Sequence, residues 1–284
     1  MRLDVYLANK YPEHSRSVWA KLIKRGDVKV NDAVIESPSR NVGDKDVVMA
    51  TDFSEAKTSM ELPVIFEDDN VIVINKPAGV LTHSKGALND EFTVSDFIRE
   101  RVAKSDLPEN NRFGIVHRLD RDTSGVIIGA KNEATRKMLQ KQFQDRKTKK
   151  TYQALVNITS VGLKTLDKHT EDFAIDLPIA RNPKKPSQFK VESRGKDAIT
   201  DVKVDKLFDN KTALLELKPK TGRTHQLRVH LAYVGLPIVG DFVYNANGKE
   251  FPRMMLHAKR LEITIPEGDR KVFKAELPNE FAKN

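Results

Sequence analysis

The run Gly114 to Lys131, GIVHRLDRDTSGVIIGAK, constrains this chain more than any other stretch. Its apolar segment, Val126 to Ile128, reads as a buried strand. Just before that strand stand Asp120, flanked by Arg118 and Arg121, and then Asp122, Thr123, Ser124 and Gly125. A carboxylate among arginines at the mouth of a core strand is rigidly held. An ion pair at a surface turn is one reading of it and a catalytic aspartate is the other. Periodicity alone does not separate them.

Composition narrows the partner. The chain has 284 residues, enough for one large domain or for a large and a small one. Lys and Arg number 49 against 40 Asp and Glu, and the net charge of +9 favours a polyanionic partner without naming it. Cysteine is absent, which removes disulfides, thiolate metal sites and cysteine nucleophiles. No apolar run approaches the roughly 18 residues of a membrane span. The N-terminal MRLDVYLANKYPEHSR has no continuous apolar centre of the signal-peptide kind. A cytoplasmic protein without a membrane partner is expected, in keeping with a reducing compartment.

The first 50 residues read as a small unit of their own. Leu3, Val5, Tyr6 and Leu7 begin a helix, and Ser15 stands where it can cap a second one carrying Val18, Trp19, Leu22 and Ile23 at helical spacing. Gly26 sits where a left-handed C-cap is wanted. Short strands follow at Val28 to Val30, Ala33 to Ile35 and Val47 to Met49. This order, with RLDVYL, SRS, RGDVKVND and VGDKDVV as landmarks, resembles the S4-type RNA-binding domain, first described in a small-subunit ribosomal protein. Between Lys10 and Lys29 six basic residues face two acidic ones. Lys21, Lys24 and Arg25, on one face of the second helix, are candidate phosphate contacts, with a solvated face as the competing reading. Trp19 is read as core.

Residues 51–62, TDFSEAKTSMEL, are polar, lack a period and read as a linker to a larger domain spanning 63–284. Strands are predicted there at Val64 to Phe66, Val71 to Ile74, Thr151 to Val156, Val202 to Leu207, Ala213 to Lys218, Leu261 to Ile265 and Val272 to Ala275. Helices are predicted at Val94 to Val102, at Asn132 to Arg146 with Asn132 as N-cap, and at Arg223 to Val234. Strands and helices mix without βαβ alternation. The expected fold class is therefore α+β, with a small N-terminal domain and a larger one built on a mixed, mostly antiparallel sheet.

HRLDRDTSG resembles the motif of the RluA-type pseudouridine synthases. In that family the aspartate of HRLD is the nucleophile. Further motifs of the family stand here in order: NKPAGVLTH from Asn75, TKKTYQALV from Thr148 and TGRTHQLRVHLAYVGLPIVGD from Thr221. The resemblance runs from about Pro63 to the C-terminus. It implies that Asp120, Tyr152 and Arg228 are catalytic, Tyr152 stacking on the target base and Arg228 pairing with Asp120. It also implies that Arg118 fills the space left by an extruded base. Neither metal nor cofactor is implied. Arg121, Arg223, Lys147 and Lys149 are further candidate RNA contacts, the last two within Lys131 to Lys150, where eight basic residues meet two acidic ones.

His117 is read as a satisfied core group, and His225 and His230 are too scattered for a metal site. A protein-kinase loop is excluded because no D-F-G and no G-x-G-x-x-G is present. The implied function is uridine isomerisation in structured RNA. Large-subunit ribosomal RNA is the expected substrate and transfer RNA the alternative, with the enzyme acting as a monomer. The rival is an RNA-binding or ribosome-assembly factor whose synthase domain is inactive.

Overall fold

The chain separates into two units, one formed by Met1–Ser59 with Ser84–Glu91 and the other by Met60–His83 with Phe92–Asn284. The computed structural model describes residues 1–12, 14–50, 59–84, 91–102, 106–110, 112–168, 172–209, 211–245, 251–268 and 270–281.

In the smaller unit, α1 (Leu3–Lys10) and α2 (Arg16–Arg25) precede β1 (Val28–Val30), β2 (Ala33–Val34) and β3 (Val48–Ala50), with strand order β2-β1-β3. Leu3 and Leu7 of α1 bury with Trp19, Leu22 and Ile23 of α2, so the helical spacing marks the core face and Trp19 belongs to it. Gly26 takes φ +87°, and the Gly26 and Asp27 N–H groups return to the Ile23 and Leu22 carbonyls at 3.0 and 3.1 Å. Ser15 holds the N-cap position of α2, but its side chain makes no capping bond and its Oγ lies 2.9 Å from Ser17 Oγ. Lys21, Lys24 and Arg25 are exposed on α2, and Arg25 pairs with Asp27.

The larger unit begins with β4 (Val64–Glu67), β5 (Val71–Lys76), α3 (Val94–Glu100), β6 (Ser124–Ala130), α4 (Glu133–Gln144) and β7 (Lys149–Asn157). It continues with α5 (Ser160–Lys168), β8 (Phe173–Asp176), β9 (Ile179–Arg181), β10 (Phe189–Val191), β11 (Ile199–Phe208) and β12 (Thr212–Pro219). It closes with α6 (Gln226–Tyr233), β13 (Leu256–Thr264) and β14 (Arg270–Lys274). The main sheet runs β4-β5-β6-β13-β7-β12-β11-β8, with β14 beside β13, and β9 and β10 pair separately. Among the described strands every pairing is antiparallel except β6 with β13.

All seven residues of β6 are buried. Alternation sorts them onto two faces. Ile127 joins Phe97 and Ile98 of α3, while Val126 and Ile128 join Leu139 of α4. This double cover makes the strand apolar throughout, although it belongs to a mostly antiparallel sheet. Gly125, at φ +110°, has no room for a side chain, since a Cβ there would lie 2.3 Å from the Ala258 carbonyl oxygen. Asn132 caps α4 as its sequence suggests, its side chain accepting from Thr135 N at 2.9 Å. Of the stretch read as a linker, residues 51–58 lie outside the described residues, and Leu62 shares a buried cluster with Ile72 and Ile74. Among the described residues no helix is long and apolar enough to cross a membrane.

Candidate active site

Asp120 lies in the loop that feeds β6, and backbone ties fix that loop from several directions. The Thr82 hydroxyl donates to the Leu119 carbonyl at 2.9 Å and accepts from Leu119 N at 3.2 Å. Thr123 N donates to Asp120 O at 3.1 Å, and Gly79 N to Arg121 O at 2.9 Å. Lys76, at the end of β5, is fully buried. Its Nζ donates to the carbonyls of Pro77, Val80 and Arg121, each at 2.8 Å. Three acceptors suit the three N–H groups of an ammonium. Burial nonetheless pushes the Lys76 pKa down to about 7, against the nearby charges of Asp122 and Asp120. Lys76 therefore staples the turn after β5 to the residue following Asp120. Nothing in the local pattern NKPAG signals this role for the lysine.

Arg228 reaches Asp120 from α6, Nη1 donating to Oδ2 at 3.2 Å. Its other edge is occupied by Asp241, which is fully buried: Nε donates to Oδ2 at 2.8 Å and Nη2 to Oδ1 at 2.9 Å. Asp241 Oδ1 also accepts from the N–H groups of Val243 and Tyr244 at 2.9 and 3.1 Å. The guanidinium is thus locked bidentately by one carboxylate and offers its remaining nitrogen to the other. Burial opposes its charge, but the hydrogen bonds and charge of Asp241, with the charge of Asp120, outweigh that and hold its pKa above the ordinary arginine value. Asp241, which ends the run GLPIVGD, is a site residue beyond those the sequence predicts. Gly240 before it takes φ +74°, and a Cβ there would lie 1.8 Å from the Arg253 carbonyl oxygen.

The helix predicted from Arg223 begins instead at Gln226. The Gln226 side chain folds back, its Oε1 accepting from Thr221 Oγ1 at 2.7 Å and from Arg223 N at 3.0 Å. The chain then enters α6 through His225, which takes the left-handed conformation at φ +56°. That turn brings His225 Nε2 to 3.8 Å from Asp120 Oδ2. His225 Nδ1 lies 2.9 Å from the Tyr244 hydroxyl, which itself accepts from Phe189 N at 2.8 Å. The tyrosine proton is then free for Nδ1, which favours the imidazole hydrogen on Nε2, towards Asp120. Burial pulls the His225 pKa below the usual imidazole value, although Asp120 works the other way. Nothing in the spacing of the sequence gave His225 a place at this site.

Tyr152 sits on β7, paired with Leu217 of β12 and Ala258 of β13. Burial, and then the charge of Asp120, raise its pKa above the ordinary tyrosine value. Its hydroxyl therefore stays protonated at neutral pH, where it can donate a hydrogen bond but gives up its proton less readily than a free tyrosine. Asp120, Tyr152, Arg228, His225, Arg118 and Arg223 all line one cavity of about 1010 Å³, joined by Lys149 and Lys150.

The predicted RNA contacts divide. Arg118 is exposed at the cavity. Arg223 Nε donates to the Asp197 carbonyl at 3.0 Å, just before β11, and Lys149 pairs with Glu262 at 3.2 Å. Arg121 does not line the cavity and reaches the Gly79 carbonyl at 3.5 Å. Lys147 is also outside the lining, 3.8 Å from Asp145. Lys21, Lys24 and Arg25 belong to the smaller unit.

His117 is satisfied as read. Its Nε2 accepts from Ile128 N at 3.1 Å, its ring stacks on Phe143 at 4.4 Å, and burial lowers its pKa to about 3. His230 bridges Thr200 Oγ1 and the Leu177 carbonyl. Among the described residues no three His, Cys, Asp or Glu side chains gather as a metal-binding group.

An Asp–Arg ion pair in a cavity lined by many lysines and arginines, on a mixed sheet, suits an enzyme acting on a polyanion. The comparisons give its family. The RNA pseudouridylate synthase family profile matches residues 70–233, and that of the S4 domain matches residues 1–48. An "uncharacterized RNA pseudouridine synthase" of Aquifex aeolicus is 36% identical over 99% of this chain and 91% of its own length. The "ribosomal large subunit pseudouridine synthase D" of Borreliella burgdorferi is also 36% identical, over 99% of this chain and 87% of its own. The solved structure of human RNA pseudouridylate synthase domain containing 1 superposes with a TM-score of 0.60 at 28% identity, covering 76% of this chain and 83% of that one. This chain belongs to the RNA pseudouridylate synthase family, on the RluA-type side its motifs indicated, and carries an S4 RNA-binding domain at its N-terminus.

Proposed function

We propose that this enzyme isomerises uridines of large-subunit ribosomal RNA, with Asp120 as the nucleophile. The observation that carries the reading is the Arg228–Asp120 pair at 3.2 Å inside the large cavity, opposite no competing nucleophile of the cysteine kind. The substrate class is supported by relatives named for the large ribosomal subunit that match over nearly the full chain.

The Asp120 carboxylate attacks C1′ of the flipped uridine, and the N1–C1′ bond breaks with its electron pair on the uracil. The uracil anion turns, C5 bonds to C1′, and the carboxylate leaves. Loss of the C5 proton and gain of one at N1 complete an isomerisation in which atoms and charge balance. Arg228 pairs with the anionic carboxylate before attack and after release. Tyr152 presents a ring on which the loose uracil can stack, a contact worth about 1–3 kcal/mol per base. Its protonated hydroxyl can donate a hydrogen bond to the loose base. Arg118 occupies the space left by the extruded base, lowering an extrusion cost of about a few kcal/mol. No metal or cofactor enters any step.

Asp120→Asn tests this reading, since the amide keeps the shape and loses the nucleophile. Ribosomal RNA from a strain lacking the gene is the substrate, and carbodiimide labelling reads the product. The variant is expected to bind RNA within a few-fold of wild type and to form no pseudouridine in a single turnover. Retention of even a few per cent of the activity would remove Asp120 from the role. A wild-type protein that binds this RNA and modifies nothing would favour the assembly-factor reading.

A further inference from the structure

Half-buried His225 stands beside Asp120 but has no part in the steps above. Its backbone is held at φ +56° and ψ +19°, a region that residues other than glycine rarely adopt. Such a conformation persists only where the surroundings over-determine it, and it gathers at functional sites. Here those surroundings grip the ring. Phe189 and Tyr244 stand steeply inclined to it, at 5.6 and 5.7 Å between ring centres. Nδ1 lies 2.9 Å from the Tyr244 hydroxyl, which is itself fixed by Phe189 N at 2.8 Å. The Tyr244 ring also carries the Arg228 guanidinium 5.0 Å from its centre, and its N–H donates to Asp241. One tyrosine therefore braces both groups that face Asp120.

Those two groups converge on a single oxygen. Arg228 Nη1 is 3.2 Å from Asp120 Oδ2, and His225 Nε2 is 3.8 Å from the same atom. Among the described residues no hydrogen bond reaches Asp120 Oδ1. The tautomer favoured by Tyr244 points the Nε2 hydrogen at Oδ2. Catalytic hydrogen bonds are often this long before substrate binds and tighten with it. Burial outweighs the charges around the ring, Asp120 and Asp241 on one side and Arg228 and Arg118 on the other, and leaves it neutral at neutral pH. A neutral donor can hold a carboxylate oxygen without protonating it.

We infer that His225 is a positioning residue for the isomerisation: with Arg228 it anchors Oδ2 of Asp120 and leaves Oδ1 as the oxygen that reacts. The inference rests on reading Asp120 as the nucleophile. Attack by Oδ1 forms the bond to C1′ while the N1–C1′ pair leaves with the uracil, and Oδ2 becomes the ester carbonyl, still facing Nε2–H. When C5 displaces the ester, the O–C1′ pair returns to the carboxylate, and both N–H donors meet the restored charge on Oδ2. His225 keeps its proton throughout and forms no bond to the substrate. It supplies orientation to a carboxylate that would otherwise turn about its own bond.

The full chain is assayed in single turnover on the RNA that wild type modifies, with carbodiimide labelling as the readout and filter binding for Kd. Two amides separate the ends of the imidazole. Asparagine places its amide near Nδ1, towards Tyr244, and tolerates the left-handed conformation, so His225→Asn should melt no lower than wild type. It loses the reach to Asp120, and its single-turnover rate should fall about 100-fold with Kd within about twofold. Glutamine extends an amide N–H to about the place of Nε2, and His225→Gln should recover the rate to within about fivefold of wild type. Tyr244→Phe releases the tautomer and should slow the reaction about tenfold at unchanged Kd, which keeps the test open if a His225 variant fails to fold. An Asn variant at the wild-type rate, a Gln variant as slow as the Asn variant, or full activity of Tyr244→Phe would overturn the role. Failure of the Asp120 reading is distinct, since it shows as an active Asp120→Asn enzyme.

Discussion

Asp241→Asn removes one charge and almost no volume from the buried end of the Asp120–Arg228–Asp241 chain. In the native protein the Asp241 carboxylate accepts from Arg228 Nε and Nη2 and from the N–H groups of Val243 and Tyr244, at 2.8 to 3.1 Å. An asparagine oxygen can keep the Oδ1 contacts. Its amide then replaces Oδ2 and points N–H groups at the N–H of Arg228 Nε. Arg228 loses its bidentate partner while remaining largely buried, and among the described residues Asp120 at 3.2 Å is the carboxylate left paired with it. Breaking a buried pair from one side costs about 3–5 kcal/mol. For a domain of this size that corresponds to a Tm lower by roughly 6–20 °C. Activity should fall further than stability explains, because a displacement of about 1 Å at the reacting group can cost about 100-fold. Thermal melts of the free protein and single-turnover labelling of RNA at a temperature where the variant stays folded give the two readings. Adding Arg228→Met should recover part of the lost stability without recovering activity, since it removes the unbalanced charge. An Asp241→Asn protein that melts within 2 °C of wild type and isomerises at the wild-type rate would refute the argument.

Three further outcomes follow from the same geometry. Lys76→Met should leave the carbonyls of Pro77, Val80 and Arg121 without their donor, at about 1–3 kcal/mol for each buried group not rescued by water; a denaturant midpoint equal to wild type would show that the staple is dispensable. His117 is held near pKa 3 in the folded chain against 6.5 for the free side chain, so the unfolded state takes up the proton first as pH drops. Its neutral-state stabilisation is therefore complete above pH 6.5 and is lost as pH falls towards 3. His117→Gln should flatten the stability–pH curve in that window relative to wild type, and parallel curves from urea titrations would contradict it. Gly240→Ala places a Cβ 1.8 Å from the Arg253 carbonyl at a φ of +74°, and a Tm loss of at least about 10 °C is expected; a change under 2 °C would show that the turn relaxes freely.

Local signals in the sequence determined a good part of this protein. The apolar run Val126 to Ile128 is a strand because nothing polar interrupts it, and the positions of Asn132 and Gly26 end or begin helices through bonds to their immediate neighbours. The ordered motifs placed Asp120, Tyr152 and Arg228 in one family pattern, and the fold brings those three to one cavity. What the sequence did not reveal depends on distant partners. Helix α5 carries Gly162, which reads locally as a breaker. That glycine is needed because a Cβ there would meet the Gly235 carbonyl at 2.3 Å. Strands β8, β9 and β10 are three or four residues long and gain their pairing only from β11 or from each other. The start of α6 is set by the Gln226 side chain bonding back to Thr221 and Arg223, which a helical period does not encode. Above all, Arg228 lies 108 residues from Asp120 and 13 from Asp241. Which carboxylate grips the guanidinium and which one it merely touches is decided by burial and by the angle at which α6 meets the loop before β6. A linear pattern names the charges, but only the tertiary structure assigns one of them to scaffolding and leaves the other facing the cavity.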